Sequence, residues 1–222
     1  MTFLDRRDAG RRLALRLAHH QSGSPIVLGL PCWGVVVGYE IARALGAPLD
    51  LVVARRIRGL RVPRAALGAV AEGGQVLVDG ERVSAAGVTA SDLKAIVARE
   101  QREVERWAAR FRGCRPFPSV QGRDVIVVDD GATYGHRATV AVRVVRAHAP
   151  ARVVVAVPVI APAALIPLRR EADDLVYLDA PPRFVAVNYW YARCGRSSDE
   201  EVEALLQSAR HEWAERQGAR LP

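Results

Sequence analysis

Short apolar runs rich in β-branched residues recur along this chain, and most are followed by a break and then by helical spacing. "PIVLGL" (Pro25 to Leu30) ends at "PCWG", Val35 to Leu45 reads as a helix, and "LDLVVA" (Leu49 to Ala54) is the next strand. Strand, helix and strand with short joints form a βαβ unit, whose right-handed crossover requires a parallel sheet. Asp124 to Val128, Arg152 to Ile160, "DLVYLD" and "RFVAVN" add strands, with a helix from about Gly135 to His148. The class is therefore α/β. At 222 residues, a single domain over residues 1–222 is the expectation.

Residues 55–111 form an appendage to that plan. Arg55 to Arg64 holds arginines with Gly59 and Pro63 and no period, so it reads as an exposed loop. "QVLVDGERV" carries Asp79-Gly80 between β-like runs, a hairpin signal. Thr89 to Phe111 reads as a helix with Leu93, Ile96, Val97, Val104, Trp107 and Phe111 near one face. Further helices are expected at Leu4 to His20 and at Ser198 to Gln217, where Ser198 and Glu201 fit a capping box.

The net charge is +8, yet Lys94 is the only lysine. Basicity carried almost wholly by arginine suits a coding bias, and no aromatic RNA-binding signature accompanies it, so nucleic acid is not the expected partner. The amphipathic, charged N-terminus lacks the apolar core of a signal peptide, and no apolar run is long enough for a membrane span. Cys32, Cys114 and Cys194 are few and scattered, which points to a reducing cytoplasm rather than a disulfide framework.

The chemistry concentrates in "VIVVDDGATYGHRAT", Val125 to Thr139. Two aspartates at the carboxyl end of a parallel strand lie where open α/β sheets bind ligands. Ionised, they accept hydrogen bonds from vicinal hydroxyls or hold a hydrated magnesium ion. The loop that follows opens a helix, whose free amides and positive dipole end suit a phosphate. Together these features spell a ribose 5-phosphate. The alternative is a solvated turn bearing two aspartates.

Over nearly its full length the chain resembles the type I phosphoribosyltransferases, specifically a poorly characterised bacterial branch. "VIVVDDGATYGHRAT" looks like that family's phosphoribosyl pyrophosphate motif. "LGLPCWGVVVGYEIARALGAPLDLVVARRI" is similar to its first strand, pyrophosphate loop, helix and second strand, and "LGAVAEGG", "VVVAVPVIAP" and "WYARCGRSSDEEV" also match. The resemblance implies a mostly parallel Rossmann-like sheet flanked by helices, with a small hood. It implies transfer of a 5-phosphoribosyl group from phosphoribosyl pyrophosphate to a small-molecule acceptor, with pyrophosphate release and magnesium. Asp129 and Asp130 would be the catalytic carboxylates that hold the ribose hydroxyls and, indirectly, the metal. Gly131, Ala132, Thr133, Tyr134, Gly135, His136 and Arg137 would wrap the 5-phosphate. Pro31, Cys32, Trp33 and Gly34 would face the pyrophosphate, with Arg55 and Arg56 assisting. A homodimer is the commonest soluble assembly.

The chain departs from the family in its ligand loops. Tyr134 and Arg137 replace threonines of the phosphate motif and His136 an alanine; Cys32 stands for an arginine and Trp33 for a glycine. An indole at position 33 is expected to crowd the pyrophosphate, while Arg137 and the Tyr134 hydroxyl offer substitutes for lost donors. Arg58, Arg61 and Arg64 either grip pyrophosphate from another side or are solvated. Two other readings stay open. One is a different enzyme on the same scaffold, with Cys32 and His136 as a thiolate pair. The other is a non-catalytic protein that binds a nucleotide or sugar phosphate. Replacing both aspartates by asparagine is expected to abolish ligand binding and leave the melting temperature nearly unchanged. Tyr189, Trp190 and Tyr191 suggest an aromatic wall or simply packing at a strand end.

Overall fold

A computed structural model describes residues 2–59, 66–195 and 198–218. Helix α1 (Arg6–Leu17) and a 3-10 turn (Ala18–Gly23) lead into β1 (Ile26–Gly29), α2 (Trp33–Leu45) and β2 (Leu49–Leu51). The chain then builds β3 (Ala54–Arg58), β4 (Ala66–Ala71), β5 (Val76–Val78), α3 (Gly80–Ala85) and the long α4 (Ala90–Arg112). It returns through β6 (Asp124–Val128), α5 (His136–Arg146), β7 (Arg152–Val159), α6 (Pro162–Glu171) and β8 (Asp174–Asp179), and α7 (Asp199–Arg216) follows.

Five strands form a sheet in the order β2-β1-β6-β7-β8, with every neighbouring pair parallel. Such a sheet must be covered on both faces, and the sequence supplies the means. β1 and β6 present apolar residues to both sides and are almost wholly buried. Leu13 and Leu17 of α1, Val35 and Ile41 of α2 and Leu206 of α7 cover one face. Val140 and Val144 of α5 and Leu168 of α6 cover the other. This α/β architecture is the one expected.

The second sheet, antiparallel β3-β4-β5, differs from expectation in detail. "LDLVVA" divides: β2 ends at Leu51, and Ala54 opens β3 in the other sheet. Arg55 to Arg58 is thus strand, not exposed loop; arginines on both of its faces hide the alternation that would mark it. Arg61 and Arg64 lie outside the described residues. The hairpin exists, but it turns at Glu72–Gly74 between β4 and β5. Asp79 instead caps α3, its carboxylate accepting the Arg82 amide at 3.1 Å. An aspartate before a glycine serves a cap as readily as a turn.

"RFVAVN" is not a strand. It runs as coil into a 3-10 turn, Val187–Trp190, held where Phe3 and Tyr191 bridge. No sheet edge receives it, so its β propensity goes unused. Helix α6, unforeseen, has Pro162 at its start and Pro167 inside, and the second proline masks its helical period.

Candidate active site

The carboxyl ends of β1, β6 and β7 meet at one edge of the parallel sheet, and the motif residues gather there. Gly34 allows the loop after β1 to reach the end of β6: a Cβ on it would lie 2.4 Å from the Val128 carbonyl oxygen. Asp129 and Asp130 follow β6 directly and are buried. The Asp130 amide donates to Asp129 Oδ1 at 2.9 Å.

Asp130 has a partner the sequence did not announce. Arg6, only 2 % exposed, sends Nη2 to Asp130 Oδ2 at 3.0 Å and also donates to the Asn188 side-chain oxygen. Its guanidinium lies 4.5 Å from the centre of the Trp33 ring and 3.9 Å from that of Tyr191. The Tyr191 hydroxyl donates to the Asp130 carbonyl at 2.5 Å. Two aromatic faces and a carboxylate thus stabilise one buried cation.

Asp129 faces Arg137, whose Nη2 stands 3.7 Å from its Oδ1 and donates to the Pro31 carbonyl at 2.6 Å. Burial pushes the Asp129 carboxyl up to about 6, and Asp130 pushes the same way against the opposing pull of Arg137 and Arg56.

Between β6 and α5 the loop 131–135 borders a cleft of about 730 Å³. Gly131 to Arg137 line it in unbroken succession, facing Asp129, Arg56, Arg58 and the Val185–Ala186 segment. Gly135 ends the loop at φ 76°, a conformation that favours glycine, and no side chain caps α5. Among the described residues, the amides of 133–138 donate to no protein acceptor. Free amides at a helix start are donors of the kind that suit an anion. A second cleft of about 460 Å³ shares Arg56, Arg58 and Arg137 with the first and adds Pro31, Arg55 and Arg99, with Glu100 the one acid among its lining residues.

The expected site residues do not all arrive together. Pro31 lines the second cleft, but Cys32, Trp33 and Gly34 line neither. Trp33 turns onto Arg6 and lines neither cleft. Arg55 and Arg56 separate: Arg55 is held by Glu100 at 2.9 Å and lies over Trp107, whereas Arg56 makes no hydrogen bond or ion pair among the described residues.

Cys32 and His136 have different surroundings. Burial raises the Cys32 thiol, which works against a thiolate. His136 pairs with Asp79 at 3.3 Å, and burial holds its pKa below the ordinary value. Tyr134 lies between the His136 ring, 5.7 Å away, and the Arg82 guanidinium, 3.8 Å away. These two substitutions therefore fasten the loop between β6 and α5 to α3 and its capping aspartate. Of the aromatic trio, Tyr191 is buried and Tyr189 exposed, and none lines either cleft.

Sequence reasoning missed Arg6, Arg99, Asn188 and Val185. Nothing in a helix with five arginines singles out the one that turns inward. The magnesium implied by the resemblance fits the acids that remain: among the described residues Asp129 Oδ2 and Asp130 Oδ1 accept no bond. Magnesium takes few carboxylates and otherwise water and phosphate oxygens. No helix among the described residues is long and apolar enough to cross a membrane.

A model of the phosphoribosyl transferase domain matches residues 4–185. The chain is 42% identical to TT1426 of Thermus thermophilus over 94% of its own length and 99% of that protein, and the two structures superpose with a TM-score of 0.75. It is 38% identical over 213 residues to the Mycobacterium tuberculosis H37Rv protein named "Putative phosphoribosyl transferase Rv0571c", covering 96% of this chain and 48% of that one. The counterpart in strain CDC 1551, MT0597, matches to the same degree. The chain thus spans about half the length of the curated relatives it matches. On the matched residues and these identities, the chain belongs to the phosphoribosyl transferase domain family.

Proposed function

We propose that this chain transfers a 5-phosphoribosyl group from phosphoribosyl pyrophosphate to a small-molecule acceptor and releases pyrophosphate. One observation carries the reading: two clefts joined through Arg56, Arg58 and Arg137, one beside an open helix start and a buried carboxylate, the other rich in arginine. A donor with a phosphate at one end, a diol in the middle and a diphosphate at the other matches that sequence of environments.

In this reading the amides of 133–138 hold the 5-phosphate, and Asp129 accepts from the ribose hydroxyls. Asp130 lends its remaining oxygen while Arg6 holds it in place. Arg56, Arg58 and Arg137 bind the diphosphate and stabilise it as the bond from C1 to its oxygen breaks, the electron pair leaving with pyrophosphate. The acceptor supplies the new bond to C1 from the Val185–Ala186 side. Positioning and charge neutralisation do the work, as suits an oxocarbenium-like transition state. Magnesium, when bound, would add neutralising charge on the diphosphate, held through water by Asp129 Oδ2 and Asp130 Oδ1.

Calorimetric titration of phosphoribosyl pyrophosphate with and without magnesium, beside ribose 5-phosphate, tests this. Magnesium-enhanced binding of the donor, weakened in Arg137→Met, is the expected result. Equal affinity for donor and ribose 5-phosphate removes the diphosphate role and favours a sugar-phosphate binder. Binding of neither ends the proposal.

A further inference from the structure

The opposite edge of the parallel sheet carries a second group of side chains that the transferase reading does not use. The 3-10 turn after α1 brings His19 and His20 against the amino end of β8, where Asp174 stands. One ligand atom from each of these residues lies within 4.8 Å of the other two. β6 starts at Asp124, at this edge, and Asp129 follows its far end, five residue steps or about 17 Å away.

His20 gives the cluster its meaning. Its side chain is 2 % exposed, and among the described residues its buried Nε2 has no hydrogen-bond partner. Buried polar atoms are rarely left so. Asp174 Oδ2 stands 3.6 Å away, too far for a hydrogen bond. That spacing does match two ligands of one tetrahedral ion, because metal–ligand distances of 2.0–2.2 Å place such atoms about 3.3–3.6 Å apart.

The carboxylate is already oriented. Asp174 Oδ1 accepts its own neighbour's amide, Leu175, at 2.8 Å, which turns Oδ2 toward His20. His19 is exposed and its ring lies 4.1 Å from that of His20, which places its ligand atom within reach of the same point. Arg152 on β7 reaches within 3.8 Å of Asp174 Oδ2 from a half-exposed position, the one competing cation there among the described residues. Burial, His19 and Arg152 favour neutral His20, the form a metal requires, while Asp174 and Asp124 oppose them.

We propose that His19, His20 and Asp174 form a site for a divalent transition ion of the zinc type, binding the turn after α1 to the amino end of β8. Two imidazoles and a carboxylate suit zinc, with the fourth position open to water. The ion would displace Arg152 from Asp174 and satisfy the orphaned His20 nitrogen. This site lies away from the phosphoribosyl clefts and does not depend on their assignment.

The test is zinc binding by the purified chain in competition with a chromophoric chelator, with cobalt as the spectroscopic probe. One equivalent bound in the micromolar range or tighter is expected, with the visible absorption of four-coordinate cobalt on nitrogen and oxygen. His19→Ala and Asp174→Asn should each weaken zinc at least about tenfold. His19 is exposed, so its variant keeps the fold even if a His20 variant does not. Absence of tight binding, wild-type affinity in both variants, or a sulfur-to-cobalt charge-transfer band pointing to the cysteines would each overturn the proposal.

Discussion

Arg6 and Asp130 are separated by 124 positions in the chain, and their side chains meet at 3.0 Å in a buried pocket. The first helix thereby supplies the counter-ion of an acid at the site. Removing one member of a buried pair leaves the other charge uncompensated, at a cost of about 3–5 kcal/mol. Arg6→Met should therefore lower the unfolding free energy by that order in urea titration. Asp130→Asn should also destabilise, contrary to the expectation that both aspartates can be changed without moving the melting temperature. The double variant should lose clearly less than the sum of the two. Additive losses would mean that the pair is not coupled.

Asp129 makes a separate, pH-dependent contribution. Its native pKa of about 6 lies above its ordinary 3.8, so between those values the folded state holds a proton that the unfolded chain has released. The stability this supplies is complete below pH 4 and is lost as pH rises through about 6. The unfolding free energy of the wild type minus that of Asp129→Asn should accordingly fall between pH 4 and pH 7. A flat difference across that range contradicts the raised pKa.

Arg55 and Arg56 were expected to act as a pair, and the fold gives them unlike surroundings. Arg56→Gln should weaken pyrophosphate binding by about tenfold or more, the worth of a charge-assisted hydrogen bond, with little change in stability. Arg55→Gln should do the reverse, because it breaks the contact with Glu100 and the stacking on Trp107. Calorimetry with inorganic pyrophosphate, run beside thermal melts, separates the two. Equal losses of affinity would show that both guanidinium groups reach the ligand.

Tyr134 contacts its neighbours through its ring. Tyr134→Phe should bind ribose 5-phosphate within about twofold of wild type, since the stacking on Arg82 and His136 survives. Tyr134→Ala should release α3 from the loop between β6 and α5 and forfeit about 0.5–1 kcal/mol of cation–π interaction. Proteolysis near residues 79–85 reads that loosening. A large loss of affinity in the phenylalanine variant would return the hydroxyl to the phosphate.

The parallel sheet was legible because doubly covered strands must be continuously apolar, as β1 and β6 are. The cleft-lining loop between β6 and α5 was legible because a strand end, a glycine and a helix start follow one another directly. Arg6 was not, because its role depends on a contact across most of the chain. Nor was β3, since an arginine on each face erases the alternation that identifies a strand. The contact of Trp33 was hidden for a related reason: a bulky residue in a loop suggests obstruction, and only the fold reveals a buried guanidinium for it to cover. Asp79-Gly80 was ambiguous in principle, as a turn and a helix cap use the same two residues.

Alternation along β3 has one more consequence. Arg56 pairs with Ala69 and Ile57 with Gly68, while Arg58 skips a position to Ala66. The irregularity follows Arg56 and leaves the parity of the preceding residues fixed. Insertions beyond Arg58 would leave the division of labour between the two arginines intact. A single residue gained or lost just before Arg55 would exchange their faces, taking Arg55 off Glu100 and Trp107 and turning Arg56 toward α4. In this strand an odd-numbered indel amounts to a functional mutation, whereas an even-numbered one preserves the exposed sequence of charges.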